Sequence, residues 1–191
     1  MILISIESMK WRKNKIMNKR ERVILREIKE SDVNVLMELN NNEEIAKYVV
    51  GNPKKVSLEE QMKWMQNLKN EKNSQRFMIE YDNDIVGTII VNPIDYINKV
   101  GNMNIKILPK FQGKHIAKYA LMKACDFAFD SLDLFCLTAN ILSYNEKSKM
   151  LFKKIGFHQD GILRCRVIKN GIHQDLLAFS MLKTERIYAP K

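Results

Sequence analysis

Residues 109–117 of the chain read PKFQGKHIA. This segment leaves a predicted strand that ends at Pro109, makes a turn and opens a predicted helix. At such a turn, unpaired backbone N–H groups point outward at the positive end of the helix, a geometry that suits a pyrophosphate. Gly113 keeps the approach unobstructed, and Lys114 and Lys118 add positive charge. An ordinary strand-to-helix loop that contains a glycine has the same pattern, so both interpretations stay open on this segment alone.

Apolar periodicity on either side of this turn predicts the other elements. The predicted strands lie at 23–27, 77–81, 85–91, 103–109, 134–141, 164–169 and 172–181. The predicted helices lie at 31–40, 43–48, 57–68, 114–131 and 145–155. Ser57 and Glu60 have capping-box spacing, and Asn170-Gly171 is a strong hairpin signal. The strand–helix–strand unit between 102 and 141 places the start of its helix at the carboxyl edge of the sheet, where open sheets bind ligands. The order of elements therefore predicts a mixed α/β fold.

A second segment adds a family resemblance. Residues 145–148 read NEKS and begin a predicted helix whose end, at 151–157, reads LFKKIGF. With 112–117, this pattern resembles the GNAT acetyltransferase superfamily, whose phosphate loop reads Gln/Arg-x-x-Gly-x-Gly/Ala and whose later segment reads Asn-x-x-Ser/Ala…Tyr-x-x-x-Gly-Phe. The resemblance covers about Arg22 to Lys183. It is strongest to ribosomal-protein and spermidine N-acetyltransferases, the latter also through the stretches 39–42, 86–87 and 94–96.

The resemblance implies an acetyl-CoA-dependent N-acetyltransferase with one domain, built on a sheet of about seven strands that is mixed and mostly antiparallel, flanked by helices. The acetyl group passes to a primary amine, of a protein N-terminus, a polyamine or an amino sugar, by direct attack on the thioester. The implied cofactor residues are Ile105, Lys106 and Ile107 along the pantetheine arm, Gln112, Gly113, Lys114, His115, Ile116, Ala117 and Lys118 around the pyrophosphate, and Asn145, Lys147, Ser148 and Phe152 beside the pantetheine and thioester.

Three residues depart from the family pattern. His115 stands at the second glycine of the phosphate loop, which costs stability if that position needs a positive φ. Phe152 stands where the family has a tyrosine that protonates the departing thiolate. Asn102 stands where relatives often carry a glutamate that accepts the proton of the amine, and an amide cannot act as that base.

Other polar residues are candidates for the missing roles. Tyr144, Asp95, Glu44 and Tyr96 are candidate substitutes for the base, and Glu43, Glu44, Asp95 and Tyr96 are candidate contacts of the acceptor. The loop at 51–55 is neutral to basic, so a polycationic acceptor is not favoured. The sequence predicts no metal site. The three cysteines, Cys125, Cys136 and Cys165, are expected to be buried free thiols.

The chain of 191 residues has a formal charge of +10, much of it within the first 22 residues. We expect a basic leader at 1–21, a catalytic domain at 22–183 and a tail at 184–191, in a cytoplasmic protein without a membrane segment. A solvated leader is favoured over an arm that contacts nucleic acid, because no aromatic platform or nucleic-acid module follows it. The sequence leaves open the oligomeric state and two alternatives: a degenerate GNAT domain that only binds acyl-CoA, and a ribosome- or nucleic-acid-associated basic protein.

Overall fold

A computed structural model describes residues 19–186 of the chain, without the side chain of Lys69. The strands are β1 (Val23–Arg26), β2 (Gln75–Tyr81), β3 (Asp84–Asp95), β4 (Val100–Ile107), β5 (Cys136–Leu142), β6 (His158–Lys169) and β7 (Ile172–Leu182). The α-helices are α1 (Lys19–Arg22), α2 (Val33–Asn41), α3 (Glu43–Ala46), α4 (Leu58–Asn67), α5 (Ile116–Asp126) and α6 (Glu146–Ile155). From β1 onward, this succession confirms the order of elements predicted from the sequence.

The strands form one seven-stranded sheet in the order β1-β2-β3-β4-β5-β7-β6. Every neighbouring pair is antiparallel except β4 and β5, so the expected mixed, mostly antiparallel sheet is confirmed. The parallel register runs only from Val100↔Cys136 to Asn102↔Thr138. Beyond it, β4 stays paired with β3 and β5 stays paired with β7, but the two strands no longer pair with each other. The sheet therefore splits into a V between β4 and β5.

Helix α5 covers one face of the sheet and carries much of the core. Leu121, Ala124 and Ala128 are fully buried, as their spacing on one helical face predicts. The helix ends in a π-helical turn, Phe127–Ser131, which places Phe129 in the same core cluster. This packing fixes where α5 begins, and hence the position of the turn at 109–117 at the open end of the V.

The sequence predicts the internal elements better than their boundaries. The capping box is confirmed, since Ser57 Oγ accepts the N–H of Glu60 and the Glu60 carboxylate accepts the N–H of Ser57. Strand β6 begins at His158 rather than Arg164, because it is an edge strand whose first half is almost entirely exposed and lacks alternation. No cysteine forms a disulfide in residues 19–186, but Cys165 is exposed, so the expectation of buried thiols is wrong there.

The two ends of the described chain meet on helix α5. Arg20 pairs with Asp126 at 2.8 Å, and Arg186 pairs with Asp126 at 3.4 Å and with Asp130 at 2.9 Å. Arg20 of the predicted leader and Arg186 of the predicted tail are thus bonded to the domain. Residues 1–18 and 187–191 lie outside the described part, and the division at 22 and 183 stays a prediction. Among the described helices, none is long and apolar enough to cross a membrane.

Candidate active site

A cleft lies in the V between β4 and β5. Its walls come from both strands, from the first turns of α6 and from the loop after α3: Tyr48, Val49, Val50, Met103, Asn104, Ile105, Lys106, Ala139, Asn140, Ile141, Asn145, Ser148 and Phe152. The fold therefore brings five of the predicted cofactor residues together in one cleft, namely Ile105, Lys106, Asn145, Ser148 and Phe152. The N–H and C=O groups of β4 that face this cleft have no partner on β5, so they can pair with an extended ligand as an added strand would.

The turn after β4 presents unpaired backbone donors. Within residues 19–186, the N–H groups of 113–118 donate to no backbone carbonyl, and the first of α5 to find one is Tyr119, which donates to His115 at 3.4 Å. Gly113 has φ +77°, and a Cβ placed there would meet nothing within 4 Å. Gln112 braces the turn from behind, because its Nε2 donates to the carbonyl of Ile107 at 3.0 Å. The result is a row of N–H groups facing open space, which fits a pyrophosphate.

Three lysines surround this turn. Lys110 and Lys114 place Nζ 5.3 and 5.2 Å from the centre of the Phe111 ring, and Lys118 lies one helical turn further on. In the part of the chain that the structure describes, none of the three forms an ion pair with a carboxylate. Their uncompensated charge raises the local potential for a polyanion such as coenzyme A.

His115 takes the left-handed conformation, with φ 65° and ψ 7°, at the N-cap of α5. The position therefore needs a positive φ, which costs a residue with a Cβ about 1–2 kcal/mol. The side chain of His115 makes no capping hydrogen bond. His115, in place of the family's glycine, therefore introduces local backbone strain. It leaves the N-terminus of α5 without a protein cap.

Helix α6 is capped and anchors the other wall of the cleft. The Oδ1 atom of Asn145 accepts the N–H of Ser148 at 3.1 Å, and the residue is buried. Phe152 is also buried and packs edge-on against Phe157, with ring centres 4.9 Å apart. It therefore serves both the core and the cleft wall, and its ring has no proton to offer. Ile107 and Ile116 have buried side chains, so they can offer a ligand only their backbone, while Lys147 is exposed on the first turn of α6.

Asn102 lies at the last paired position of the seam between β4 and β5. Its Nδ2 donates to Thr138 Oγ1 at 3.0 Å, and its Oδ1 accepts from Asn104 Nδ2 at 3.1 Å. One end of the amide therefore joins β4 to β5 where they diverge, and the other end is bonded to Asn104 on β4 itself. An amide suits this position because it both donates and accepts a hydrogen bond here, so we interpret Asn102 as a structural residue and not as a catalytic base.

The loop after α3 is tied down by two residues that belong to other elements. Tyr144 donates its hydroxyl to the carbonyl of Lys47 at 2.8 Å. The ammonium of Lys169 donates to the carbonyls of Ala46, Val49 and Gly51 at 2.9, 3.1 and 2.7 Å. Burial, with a smaller effect of Tyr48, raises the pKa of Tyr144, so the phenol is poorly suited to act as a base. Sequence reasoning missed the Lys169 clamp, because its partners lie more than a hundred residues away.

The candidate acceptor residues do not converge on the cleft. Asp95 is the last residue of β3 and Tyr96 begins the turn to β4, at the opposite end of β4 from Ile105. The N–H groups of Asn98 and Ile97 hold the Asp95 carboxylate and lower its pKa, which weakens it as a base. Hence the structure does not support Asp95 or Tyr96 in the predicted roles. Glu43 and Glu44 are exposed on α3, beside the loop that lines the cleft but outside its walls.

A sheet split at its one parallel seam, with phosphate-type donors beyond one strand and a capped helix beyond the other, defines an acyltransferase that uses a nucleotide thioester. The Acetyltransferase (GNAT) domain family matches residues 22–158, and the chain belongs to this family. It is an N-acetyltransferase that takes the acetyl group from acetyl-CoA and transfers it to an amine, so the predicted family, activity and cofactor are confirmed.

Three relatives show how far the similarity extends. The chain is 33% identical to YdaF of Bacillus subtilis, whose assignment as a ribosomal N-acetyltransferase is itself provisional, over 105 residues, 55% of this chain and 57% of that protein. It is 26% identical to the spermidine N(1)-acetyltransferase of Escherichia coli K12 over 155 residues, 81% of this chain and 83% of that one. The crystal structure of Vibrio cholerae spermidine N-acetyltransferase with CoA and spermine matches with a TM-score of 0.81 and 25% identity, over 86% of this chain and 97% of that one.

Proposed function

We propose that acetyl-CoA lies in the V, with its pyrophosphate on the N–H groups of 113–118 and its pantetheine arm along the free edge of β4 at Ile105–Ile107. The observation that carries the proposal is the early end of the β4–β5 pairing at Asn102 and Thr138, which leaves that edge open beside the uncapped start of α5. Asn145 and Phe152 then flank the thioester. The cap on α6 uses only the amide oxygen of Asn145, so its amide nitrogen is available to the ligand.

The chemistry asks this chain mainly for positioning. Bound acetyl-CoA supplies a thioester carbonyl that a neutral amine can attack. No carboxylate or histidine is among the described residues that line the cleft, so the ammonium proton of the acceptor leaves to water. The departing thiolate, with a thiol pKa near ~8.5, can also be protonated by water. Holding the two reactants in the cleft supplies the rate, and backbone donors of the open β4 edge are placed to bind the developing oxyanion.

The acceptor that we propose is a primary amine of a small molecule. Spermidine is the acceptor named for two relatives, but a polyamine needs carboxylates in its pocket. Among the described residues that form the cleft walls, the one charged side chain is that of Lys106, and it is a cation. Glu43 is already paired with Lys55 at 3.5 Å, and both side chains are largely exposed. A protein N-terminus as acceptor and the cytoplasmic location stay predictions from the sequence, and nucleic-acid contact stays the disfavoured alternative.

The test is thiol release from acetyl-CoA with a panel of primary amines, namely butylamine, spermidine, glucosamine and a short peptide with a free N-terminus. We expect at least one to be acetylated, with a rate that rises with pH as that amine loses its own proton. A pH profile that follows one enzyme group, whatever the amine, would reveal a base that the structure does not show. If acetyl-CoA binds and no amine gains an acetyl group, the proposal fails.

A further inference from the structure

A second cavity of about 220 Å³ lies behind the cleft, between helices α2 and α4 and the face of strands β2 to β4. It is lined by Ile28, Leu36, Asn40, Trp64, Arg76, Thr88, Ile90 and Lys106. Lys106 is the residue that it shares with the cleft. Because side chains alternate along a strand, Lys106 and Asn104 lie on the same face of β4, and Asn104 lines the cleft. The two cavities are thus neighbours on one strand.

The charge inside this cavity is positive. Lys106 is partly buried, and its one hydrogen bond among the described residues goes to Asn40 Oδ1 at 2.8 Å. Arg76 lies 5.4 Å from the ring centre of Trp64 and holds the Glu71 carboxylate with two nitrogens, at 2.7 and 3.0 Å. Among the described residues, the Glu71 carboxylate thus neutralises Arg76, and Lys106 has no carboxylate partner. Burial first, and then the charge of Arg76, lowers the pKa of Lys106.

The polar network beside the cavity also has more donors than acceptors. Asn40 Oδ1 accepts a hydrogen bond from Lys106, and Asn40 Nδ2 donates one to Gln61 Oε1 at 3.0 Å, so the hydrogen-bond network continues to Gln61. Gln61 is 1% exposed, and its Nε2 has no acceptor within residues 19–186. An ammonium has three donors, and Lys106 uses one of them on the protein. Within the described residues, Lys106 thus has donors to spare at one end of the network, and at the other end the buried Gln61 Nε2 has no acceptor, which is costly.

We propose that this cavity binds a carboxylate carried by the acceptor, so that the amine acetylated in the cleft belongs to an amino acid or a similar zwitterion. The proposal rests on the function proposed above and names its substrate class. One net positive charge favours a carboxylate over a doubly charged phosphate, and the apolar walls of Ile28, Leu36 and Ile90 suit the carbon chain between the two groups. Residues two apart on a strand are ~6.8 Å apart, which fits an amine four to six carbons from its carboxylate.

The first experiment compares acceptors that differ at one end only: butylamine, 1,4-diaminobutane and 4-aminobutanoate, with the corresponding six-carbon set. We expect kcat/KM to be about tenfold or more higher for the amino acid than for the alkylamine, as a charge-assisted hydrogen bond gives, and lowest for the diamine. Lys106→Met should remove this ratio, and Lys106→Arg should retain part of it. Lys63→Met, the same change at an exposed site on α4, should leave the ratio unchanged. A preference for the diamine or the alkylamine would overturn the inference while leaving amine acetylation intact.

The second experiment measures binding without turnover. Glutarate should raise the melting temperature of the protein, and 1,5-diaminopentane should not, because ligands that bind only the folded state stabilise it. Since the turn at 113–118 is another anion site, Gly113→Asp should keep the glutarate shift and Lys106→Met should lose it. Stabilisation by glutarate in a protein that acetylates no amine would support the carboxylate site and defeat the proposed function. No glutarate shift, or one that survives Lys106→Met, overturns the site.

Discussion

Two lysines of this molecule, the buried Lys169 and the partly buried Lys106, have different surroundings. Lys169, at the end of β6, is 8% exposed and gives all three of its N–H donors to backbone carbonyls of the loop after α3. Lys106, on β4, gives one donor to a side-chain amide and faces two cavities. The chain itself therefore saturates one ammonium and leaves the other with donors to spare. We infer that Lys169 has a structural role and that Lys106 binds a ligand.

The starts of two helices show the same contrast. Helix α6 is capped by Asn145, whose oxygen accepts the N–H of Ser148. Helix α5 begins at a strained His115 that gives no cap, and its first N–H groups stay unpaired. When the backbone N–H groups of the first helical turn have no partner in the protein, they are able to bind an anion. Unsatisfied donors thus mark the binding regions of this fold more clearly than residue type does.

The largest effect on stability should come from Lys169→Met. The change leaves three carbonyls of the loop without their donor, and we expect the free energy of unfolding to fall by about 3 kcal/mol. Urea unfolding measures it, with Lys153→Met, an exposed lysine on α6, as the control. A loss no larger than that of the control would mean that water replaces the ammonium, and the contrast between the two lysines would disappear.

Gly113→Asp tests the uncapped start of α5. Acetyl-CoA at a hundred times its Kd should stabilise the wild type by about 2.7 kcal/mol, and the aspartate should remove this gain by placing negative charge at the pyrophosphate. Gly171→Asp is a matched control, because both glycines have φ +77° and open space at the Cβ position. Both variants should lose similar stability without ligand, since both introduce strain. Equal gains from acetyl-CoA in the two variants would place the pyrophosphate elsewhere.

His115→Gly should stabilise the protein. Relief of the left-handed strain gains about 1–2 kcal/mol, and the extra freedom of glycine in the unfolded chain takes back about 0.5–1, so the net gain is about 1 kcal/mol. His158→Gly, in extended strand β6, should instead lose stability. Thermal unfolding with and without acetyl-CoA measures both. If the glycine variant gains no stability and is no longer stabilised by acetyl-CoA, His115 binds phosphate and its left-handed conformation is not simply a source of strain.

The smallest change should come from Lys106→Met in the absence of ligand. Lys106 is a partly buried cation without a carboxylate partner, so its removal stabilises the folded state. Loss of the hydrogen bond to Asn40 destabilises it by a similar amount. The free energy of unfolding should therefore stay within about 0.5 kcal/mol of the wild-type value. The changes in the free energy of unfolding of Lys106→Met and Lys169→Met, measured together, test the difference between the two lysines directly. A loss near that of Lys169→Met would show that Lys106 is a structural residue and that its spare donors are satisfied.

The sequence predicts the parts of this site that are local. The turn at 112–118 and the capped helix from Asn145 follow from short-range signals, namely a glycine after a strand and an N-cap residue. The Lys169 clamp and the cavity around Lys106 join residues far apart in the chain, and no periodicity reports such contacts. One signal was present: Lys106 shares the polar face of β4 with Asn102 and Asn104 in the middle of a sheet. Residue type alone suggests Asp95 and Tyr96 as candidates, but it does not report that they lie at the β3–β4 connection, far from Ile105 along β4.

The short seam between β4 and β5 also has a consequence for folding. Strands β2 to β4 form a meander and β6 and β7 form a hairpin, so both sides of the sheet assemble from near neighbours in the chain. The seam must instead close a long loop that contains α5, which makes it slow to form. A partial opening at these three pairs, from Val100 to Asn102, would spread the two halves without melting either. In such an opening, the Asn102–Thr138 hydrogen bond is one of the contacts between the two halves that would have to break.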